Sequence, residues 1–209
     1  MDAVSERGIH TVVVKSSAQI GKTAILKAII GFHVDQDPAP ILMLQPTEHM
    51  AEAFSKDRLA PMIRDTPALK DKIADPRSRD SGNSILHKRF AGGHLTLAGS
   101  NSPAGLASRP IRIVLCDEVD RYPASAGSEG DPVNLAIKRT ATFWNRRIVL
   151  TSTPTIKGAS RIDMAYENSD QRHFYVPCPH CGTFHIFKWE NCRWPPGEPD
   201  RAIMVCPEC

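Results

Sequence analysis

Short apolar runs alternate with helix-like segments along the first part of this chain. Four brief apolar runs are typical of buried strands: residues 11–15, 41–44, 111–116 and 147–150. Two further strands are indicated on either side of the Gly92-Gly93 turn, at residues 84–89 and 94–98. Apolar positions recur with helical spacing at residues 22–32, 47–59 and 133–144. Strands that alternate with helices favour a mostly parallel sheet covered on both faces.

The pattern changes near residue 171, where helical periodicity stops and cysteine, aromatic, proline and glycine residues become frequent. We expect an α/β domain at residues 1–171 and a small separate segment at residues 172–209. A chain of 209 residues can hold one domain of ordinary size and such an appendage. No apolar run approaches the roughly 20 residues of a membrane span, so we expect a cytoplasmic protein without membrane contact. A net charge of +3 neither requires nor excludes nucleic acid as a partner.

The segment S-S-A-Q-I-G-K-T, residues 16–23, lies between the first strand and the first helix. That is the context of a phosphate-binding loop, whose N–H groups and helix N-terminus point at phosphate oxygens. Ser16 replaces the first glycine of the full pattern, and a plain strand–turn–helix is the alternative interpretation. We expect Lys22 to contact the β- and γ-phosphates of ATP and Thr23 to ligate Mg²⁺. The candidate nucleotide-binding residues are Ser17, Ala18, Gln19, Ile20, Gly21, Lys22 and Thr23.

Two carboxylates, Asp117 and Glu118, follow the most apolar run, at a strand end where open α/β sheets bind ligands. Asp117 fits the role of a magnesium ligand, and Glu118 that of the base that orients and deprotonates the attacking water. The candidate catalytic residues are therefore Glu118, Lys22 and Asp117. We expect the lysine loop and the acidic pair to meet across adjoining strand ends. A solvated acidic turn is the alternative.

Three hydroxyl residues, Thr151, Ser152 and Thr153, close the strand that follows. Ser152 or Thr153 is expected to sense the γ-phosphate and to pass its presence onward. An ordinary Ser/Thr turn is the alternative interpretation.

Four of the six cysteines form two C-x-x-C pairs, Cys178 with Cys181 and Cys206 with Cys209. Two such pairs are typical of a zinc ribbon with one tetrahedral, structural zinc ion. We expect a strand at residues 184–189 between them. Unliganded or redox-active thiols are the alternatives. Cys116 is expected in the core and Cys192 outside the site, and three histidines are alternative ligands: His173, His180 and His185.

Together, these motifs resemble the ATPase domain of the GpA-type large terminase subunit of tailed bacteriophages. The likeness includes L-Q-P-T at residues 44–47, D-E-V-D at residues 117–120, T-S-T-P at residues 151–154, the loop at residues 99–102, and residues 130–132 with Arg139. The resemblance covers nearly the whole chain. It implies a RecA-like (ASCE) P-loop NTPase fold and a motor that hydrolyses ATP to move double-stranded viral DNA into a procapsid.

The resemblance also implies partners and further parts. A family motor works as a homo-oligomer in the host cell cytoplasm with a small terminase subunit and the portal of the procapsid. The full family protein carries an additional N-terminal segment and a C-terminal metal-dependent nuclease. We expect both to be missing here, so that endonuclease activity belongs to the full-length parent.

The basic residue that many relatives carry inside the phosphate loop is replaced here by Ala18 and Gln19. Lys15 lies just before the loop, and three arginines are candidates to act in trans, with solvated basic residues on a helix and a strand end as the alternative: Arg139, Arg146 and Arg147. DNA contacts are expected from basic and hydroxyl side chains that reach phosphates. The candidates are Arg77, Arg79, Lys88, Arg89, Lys157, Arg161, Ser100, Asn101, Ser102 and Thr47, with solvated loops as the alternative.

Two other functions fit parts of the pattern. One is a related helicase or remodelling ATPase, which needs a second RecA-like domain for which the residues after 171 are too few. The other is an inactive prophage remnant that acts as a zinc-ribbon binding module. The presence of Lys22, Thr23, Asp117 and Glu118 argues against the remnant.

Overall fold

The computed structural model describes residues 2–73, 82–102, 105 and 109–209. The chain divides into two compact units, Met1–Ser169 and Asp170–Cys209. Within the described part of the chain, no helix is long and apolar enough to cross a bilayer.

Among the described residues of the first unit, six strands form a sheet: β1 Thr11–Lys15, β2 Pro40–Gln45, β3 His87–Phe90, β4 Gly93–Gly99, β5 Ile113–Asp117 and β6 Arg147–Ser152. Their order is β1-β6-β5-β2-β4-β3. Neighbouring strands are parallel, apart from β3, which is antiparallel to β4. The mostly parallel α/β sheet expected from the sequence is therefore confirmed.

The position of β6 corrects one expectation. The lysine loop follows β1 and the acidic pair ends β5, but these strands are not adjoining because β6 lies between them. In the register of the sheet, Lys15 is opposite Ser152, and Thr151 is opposite Asp117. The three carboxyl ends therefore meet at one edge, with the hydroxyl residues of β6 in the middle.

The helices of the first unit are Asp2–Ser5, Lys22–Asp35, Glu48–Phe54, Ala60–Asp65, Pro67–Lys70, Pro132–Lys138 and Arg161–Glu167. Apolar side chains cover both faces of the sheet. Leu26, Ile29 and Ile30 of the Lys22–Asp35 helix belong to the core on one face, and Val133 and Ile162 to the core on the other. β2 and β5 are buried as a result, whereas β1, at the edge of the sheet, is only partly buried and not the fully buried strand expected.

Two helix ends differ from the sequence expectation. Helical backbone continues from Phe54 through a π turn, Ser55–Leu59, into Ala60–Asp65. Pro61 lies at the start of that last segment, directly after the π turn.

The other helix begins at Pro132, with Asp131 as its N-cap, and ends at Lys138 and not at residue 144. The hydroxyl of Thr140 donates to Ile137 O at 2.7 Å. Such local bonds compete with the helical ladder.

The second unit contains two short antiparallel pairs, Val176–Pro177 with Phe184–His185 and Cys192–Arg193 with Ile203–Met204. The strand expected at residues 184–189 stops at His185, because a 3-10 turn occupies Trp189–Asn191. Cys178 is the one buried residue among residues 170–209, all of which the structure describes. Packing of side chains therefore contributes little to this unit.

Candidate functional site

The loop after β1 closes around the amino group of Lys22. This side chain is only 5% exposed, and its Nζ donates to Ser17 O and to Thr153 Oγ1, both at 2.9 Å. Gly21, with φ of 89°, is the N-cap of the Lys22–Asp35 helix, and no side chain caps that end. The N–H groups at this end of the helix, together with the exposed loop at residues 17–21, therefore form a surface suited to an anion.

Ser16 explains how the loop forms without its first glycine. Its N–H donates to Ser152 O at 3.3 Å, continuing the pairing of β1 with β6. The positive φ angles of this loop lie at Gln19 and Gly21 instead. The turn that requires conformational freedom is therefore at Gly21, where the sequence still has glycine.

Asp117 accepts three hydrogen bonds at the carboxyl end of β5. Its Oδ2 accepts from Thr23 Oγ1 and from Gln45 Nε2, each at 3.3 Å, and its Oδ1 accepts from Thr151 Oγ1 at 2.9 Å. The residue is 4% exposed. Side chains from β2, β5, β6 and the phosphate-loop helix thus fix one carboxylate at a single point.

Glu118 is held between two cations. Its Oε1 lies 3.7 Å from Lys22 Nζ and its Oε2 lies 3.9 Å from Arg121 Nε. The backbone of Glu118 is left-handed, with φ of 54°. That conformation costs a non-glycine residue about 1–2 kcal/mol, and such strain is concentrated at functional sites. Here it turns the chain directly after the strand and keeps the second carboxylate beside Lys22.

The three hydroxyl residues at the carboxyl end of β6 and just beyond it have different contacts. Thr151 holds Asp117 and Thr153 holds Lys22, whereas Ser152 Oγ accepts from Asp120 N at 3.3 Å and donates to Thr153 O at 3.1 Å. The structure therefore brings together Lys22, Thr23, Asp117, Glu118, Thr151 and Thr153, which we call the candidate nucleotide site. Ser152 is not part of this site, because its hydroxyl contacts Asp120 N and Thr153 O instead.

Sequence reasoning assigned no role to two polar residues next to this site, Gln45 and Asp120, which it named only as parts of motifs. Asp120 Oδ2 accepts from Thr155 N at 2.9 Å and from Thr155 Oγ1 at 3.0 Å, while its Oδ1 accepts from Ile162 N at 2.8 Å. Burial raises the pKa of Asp120, but the hydrogen bonds from Ile162, Ser160 and Thr155 outweigh it and leave the pKa below its usual value. For Gln45, the available signal was its place at the end of a buried strand.

The candidate basic fingers are mostly engaged elsewhere. Lys15 Nζ lies 2.7 Å from Asp163 Oδ1. Arg147 donates to Val4 O, Glu6 O and Ile9 O, and thereby holds the N-terminal segment. Arg146 and Arg147 lie at the amino end of β6, opposite the candidate nucleotide site, and Arg139 O accepts from Ile111 N just before β5.

The candidate DNA contacts divide by accessibility. Lys88 and Ser100 are buried, Arg161 donates to Val119 O and Asp131 Oδ2, and Thr47 caps the Glu48–Phe54 helix. Four of the candidates are at least partly accessible: Arg89, Asn101, Ser102 and Lys157. Arg77 and Arg79 lie outside the described residues.

Four thiols of the second unit converge. The sulfur atoms of Cys178, Cys181, Cys206 and Cys209 all lie within 4.8 Å of one another. The Cys178–Cys209 and Cys181–Cys206 sulfur distances are 3.8 and 3.7 Å. A tetrahedron with Zn–S bonds of about 2.3 Å has edges of about 3.8 Å. The donor set and its spacing therefore fit one tetrahedral metal ion, whereas the distances are far too long for disulfides.

Fold and site together define a mixed α/β protein that gathers a lysine, hydroxyls and two carboxylates at the carboxyl edge of a mostly parallel sheet. The family model described as phage terminase large subunit gpA, ATPase domain, matches residues 1–209. The chain belongs to this family of ATPase domains. ATP hydrolysis is the family activity, and it implies ATP and Mg²⁺ as cofactors.

Curated relatives and solved structures agree with this placement. The chain is 29% identical to the large terminase subunit of Enterobacteria phage P21 and 26% identical to that of Escherichia phage lambda, over 99% of this chain and 33% of each relative. It thus spans about a third of their length. The large terminase ATPase domain of Thermus phage P74-26 matches with a TM-score of 0.55 and 15% identity, over 88% of this chain and 79% of that one. An arginine mutant of that domain matches equally well, over 80% of its chain. This likeness shows the fold.

Proposed function

We propose that this chain is the motor domain of a phage terminase large subunit, which hydrolyses ATP to translocate double-stranded viral DNA into a procapsid. The observation that carries the proposal is the convergence of Lys22, Thr153 and Glu118 beside the Thr23–Asp117 pair. Family membership of the whole chain supports the same reaction. The finer fold assignment, a RecA-like (ASCE) P-loop NTPase, is supported by the strand β6 between the lysine-loop strand and the acidic strand.

Thr23 and Asp117 are the residues proposed to hold Mg²⁺. Their oxygens lie 3.3 Å apart at the mouth of the phosphate loop, and hard oxygen ligands are those that Mg²⁺ prefers. When bound there, the ion would supply positive charge that neutralises the negative charge developing during phosphoryl transfer. Thr151 and Gln45 orient the Asp117 carboxylate by donating to it.

Lys22 and Glu118 have opposite tasks in the proposed reaction. Lys22, held by Ser17 O and Thr153 Oγ1, places its charge on the β- and γ-phosphates, while residues 17–23 supply backbone N–H donors. Glu118 orients the attacking water and accepts its proton. The two side chains are 3.7 Å apart. A γ-phosphate that draws Lys22 towards itself would also release Thr153, which makes Thr153, directly after β6, the proposed sensor.

The second unit is proposed to be a zinc ribbon in which Cys178, Cys181, Cys206 and Cys209 bind one structural Zn²⁺. The four sulfur atoms lie within 4.8 Å of one another, which suits the tetrahedral thiolate set of a structural zinc ion. The remaining assignments rest on the family: duplex DNA as substrate, a small terminase subunit and portal as partners, and a homo-oligomeric motor in the host cytoplasm. Nuclease activity belongs to the longer parent in this proposal.

The decisive experiment is phosphate release from ATP by the Glu118→Gln variant. We expect nucleotide binding to persist and hydrolysis to fall by roughly 10²–10⁴-fold, the contribution of a positioned general base. The exposed Glu129→Gln is the matched control and should hydrolyse ATP like the wild type. Unchanged hydrolysis in Glu118→Gln would remove Glu118 as the base.

A second assay separates the motor from a helicase. Displacement of a third strand bound to duplex DNA reports translocation, and release of a labelled strand of the duplex itself reports unwinding. The proposal expects ATP-dependent displacement of the third strand with the duplex intact. Strand separation would instead favour the helicase.

A further inference from the structure

The outer face of the β3–β4 hairpin carries basic side chains that the proposed reaction does not use. In the register of the hairpin, Arg89 is opposite His94, and His87 is opposite Thr96. Because side chains alternate along a strand, His87, Arg89 and His94 share one face. Lys88 belongs to the other face, where it is 4% exposed and donates to Ser84 O and Ile85 O.

A cavity of about 600 Å³ opens on this face, and we call it the hairpin pocket. Its lining is strongly basic, and none of its six described lining residues is acidic: Gly82, His87, Arg89, Gly93, His94 and Arg109. Burial lowers the pKa values of His87 and His94, and Arg109 and Arg89 lower them further. The pocket therefore presents two guanidinium groups and two imidazoles to whatever enters it.

His94 provides an independent sign that the hairpin pocket suits a polar ligand. Its Nε2 atom is shielded from solvent and has no hydrogen-bond partner within the described part of the chain. Leaving a buried polar atom unpaired costs about 1–3 kcal/mol. The neighbouring ring of His87, with its centroid 5.4 Å away, is held by a contact of Nδ1 with Thr96 Oγ1 at 3.1 Å. One imidazole is thus fixed, and the other offers an unsatisfied nitrogen.

We propose that the hairpin pocket binds a phosphate group of the duplex DNA backbone. Arginine matches phosphate oxygens with paired N–H donors, and a neutral imidazole adds a further donor. The pocket is distinct from the candidate nucleotide site: Gly93 and His94 open β4, which runs parallel to β2, so they lie at the opposite end of the strands from Asp117. The DNA source rests on the proposed motor function, whereas the phosphate chemistry does not.

The first test compares DNA affinity of two double variants of the full chain. Arg89→Gln with Arg109→Gln removes the pocket charges, and Arg7→Gln with Arg58→Gln removes two exposed charges elsewhere. Fluorescence anisotropy with a short duplex, repeated at several salt concentrations, gives affinity and salt slope. We expect the pocket variant to bind about tenfold more weakly or worse near 0.1 M salt, with a slope smaller by about 2. The control should keep the wild-type slope, and both should hydrolyse ATP at the basal rate. Equal affinity of the two double variants would overturn the DNA assignment.

The second test uses the ring nitrogens of His87 and His94, observed by ¹H–¹⁵N NMR, with inorganic phosphate or duplex DNA as the probe. Shifts of both rings with DNA support the proposal. Shifts with inorganic phosphate but not with DNA would overturn DNA as the source, and no shift with either would overturn the pocket as a phosphate site. A wild type that shows these shifts but fails to hydrolyse ATP would contradict the proposed motor and leave the pocket intact.

Discussion

The candidate nucleotide site of the first unit brings together side chains that are far apart in sequence, such as Lys22 and Thr153. The cysteine cluster of the second unit is formed instead by two C-x-x-C pairs. The first site is surrounded by two apolar cores, one on each face of the sheet. The second unit buries one residue, and large apolar side chains such as Phe174 and Trp189 remain 85% and 80% exposed.

The two units differ in the interactions that stabilise them. The sheet fixes the ends of β1, β5 and β6, so a side chain of the candidate nucleotide site can be removed without loss of the fold. The second unit has too little buried apolar surface to offset its conformational entropy. Its fold therefore depends on the metal that its thiols are proposed to bind.

The largest expected effect is the loss of zinc from the second unit. Cys181→Ser should abolish metal binding, whose free energy in small zinc domains is about 10–16 kcal/mol. Amide hydrogen exchange in residues 170–209 should become fast, while exchange in β2 and β5 stays slow. Metal analysis should find about one zinc per wild-type chain.

The matched control is Cys192→Ser, since Cys192 lies in the same unit but outside the four-thiol cluster. It should keep its metal and its slow exchange. A wild-type metal content near zero would contradict a metal-dependent fold of the second unit. Unchanged amide hydrogen exchange in Cys181→Ser would contradict it as well.

Next in size is the loss of nucleotide affinity in Lys22→Ala. Hydrogen bonds to charged groups contribute about 1.5–3 kcal/mol each, and Lys22 is expected to make two with phosphates, so the Kd for ATP should rise roughly a hundredfold or more. The melting temperature should change little, because β1 and the helix that begins at Lys22 keep their apolar contacts. Lys27→Ala, in the same helix, should bind ATP like the wild type in titration calorimetry. Equal affinities of the two variants would show that Lys22 does not touch the phosphates.

Sequence patterns were sufficient for the parts of this architecture that depend on local signals. Apolar runs located the strands, a helix was predicted from residue 47, which is its observed N-cap, and the acidic pair was placed at a strand end. The patterns did not predict features that depend on contacts between segments distant in sequence. Nothing in the residues near Ser152 indicates that β6 enters between β1 and β5.

The hydrogen-bond partners of several side chains also could not be predicted from the local sequence. Lys88 was a candidate DNA contact and Arg147 a candidate to act in trans, with solvation as the alternative for each, yet both donate to backbone carbonyls of adjacent or distant segments. The face that Lys88 takes depends on the hairpin register, and the contacts of Arg147 depend on where the N-terminal segment lies. Asp120 was recognised only as part of a motif, because its partners Thr155 and Ile162 lie beyond the next strand.

A smaller effect is expected from Asp120→Asn, which tests how the acidic turn is positioned. The amide nitrogen of asparagine would face an N–H of either Thr155 or Ile162, so one accepted hydrogen bond is replaced by a repulsive contact. Since Asp120 acts through its neighbours, kcat should fall about ten- to a hundredfold, the cost of one or two hydrogen bonds, with KM for ATP nearly unchanged. Thr155→Val removes only the hydroxyl bond and should show a smaller drop in kcat. A rise in KM with unchanged kcat would instead assign Asp120 to nucleotide binding.

The same substitution has a pH signature. The pKa of Asp120 is lowered in the folded protein, so its stabilising contribution is present above the unfolded pKa of about 3.9 and is lost as pH falls through the folded pKa. The stability difference between wild type and Asp120→Asn should therefore be constant near neutral pH and shrink below about pH 4. Urea unfolding near neutral pH and below about pH 4 measures this stability difference. A difference that grows in acid would contradict the lowered pKa of Asp120.

The smallest effect is expected at the opposite end of the same sheet, where Arg147 holds three carbonyls of the N-terminal segment: Val4 O, Glu6 O and Ile9 O. Arg147→Lys keeps the charge but loses the planar fork of donors, so the unfolding free energy should fall by about 1–3 kcal/mol. ATP hydrolysis per folded molecule should stay at the wild-type rate, because the substitution lies away from the carboxyl ends of β1, β5 and β6. Arg146→Lys, one residue earlier, is the control for charge and position and should unfold like the wild type. A loss of hydrolysis in Arg147→Lys at full stability would mean that this end of the sheet contributes to catalysis, as an arginine acting on a neighbouring subunit would.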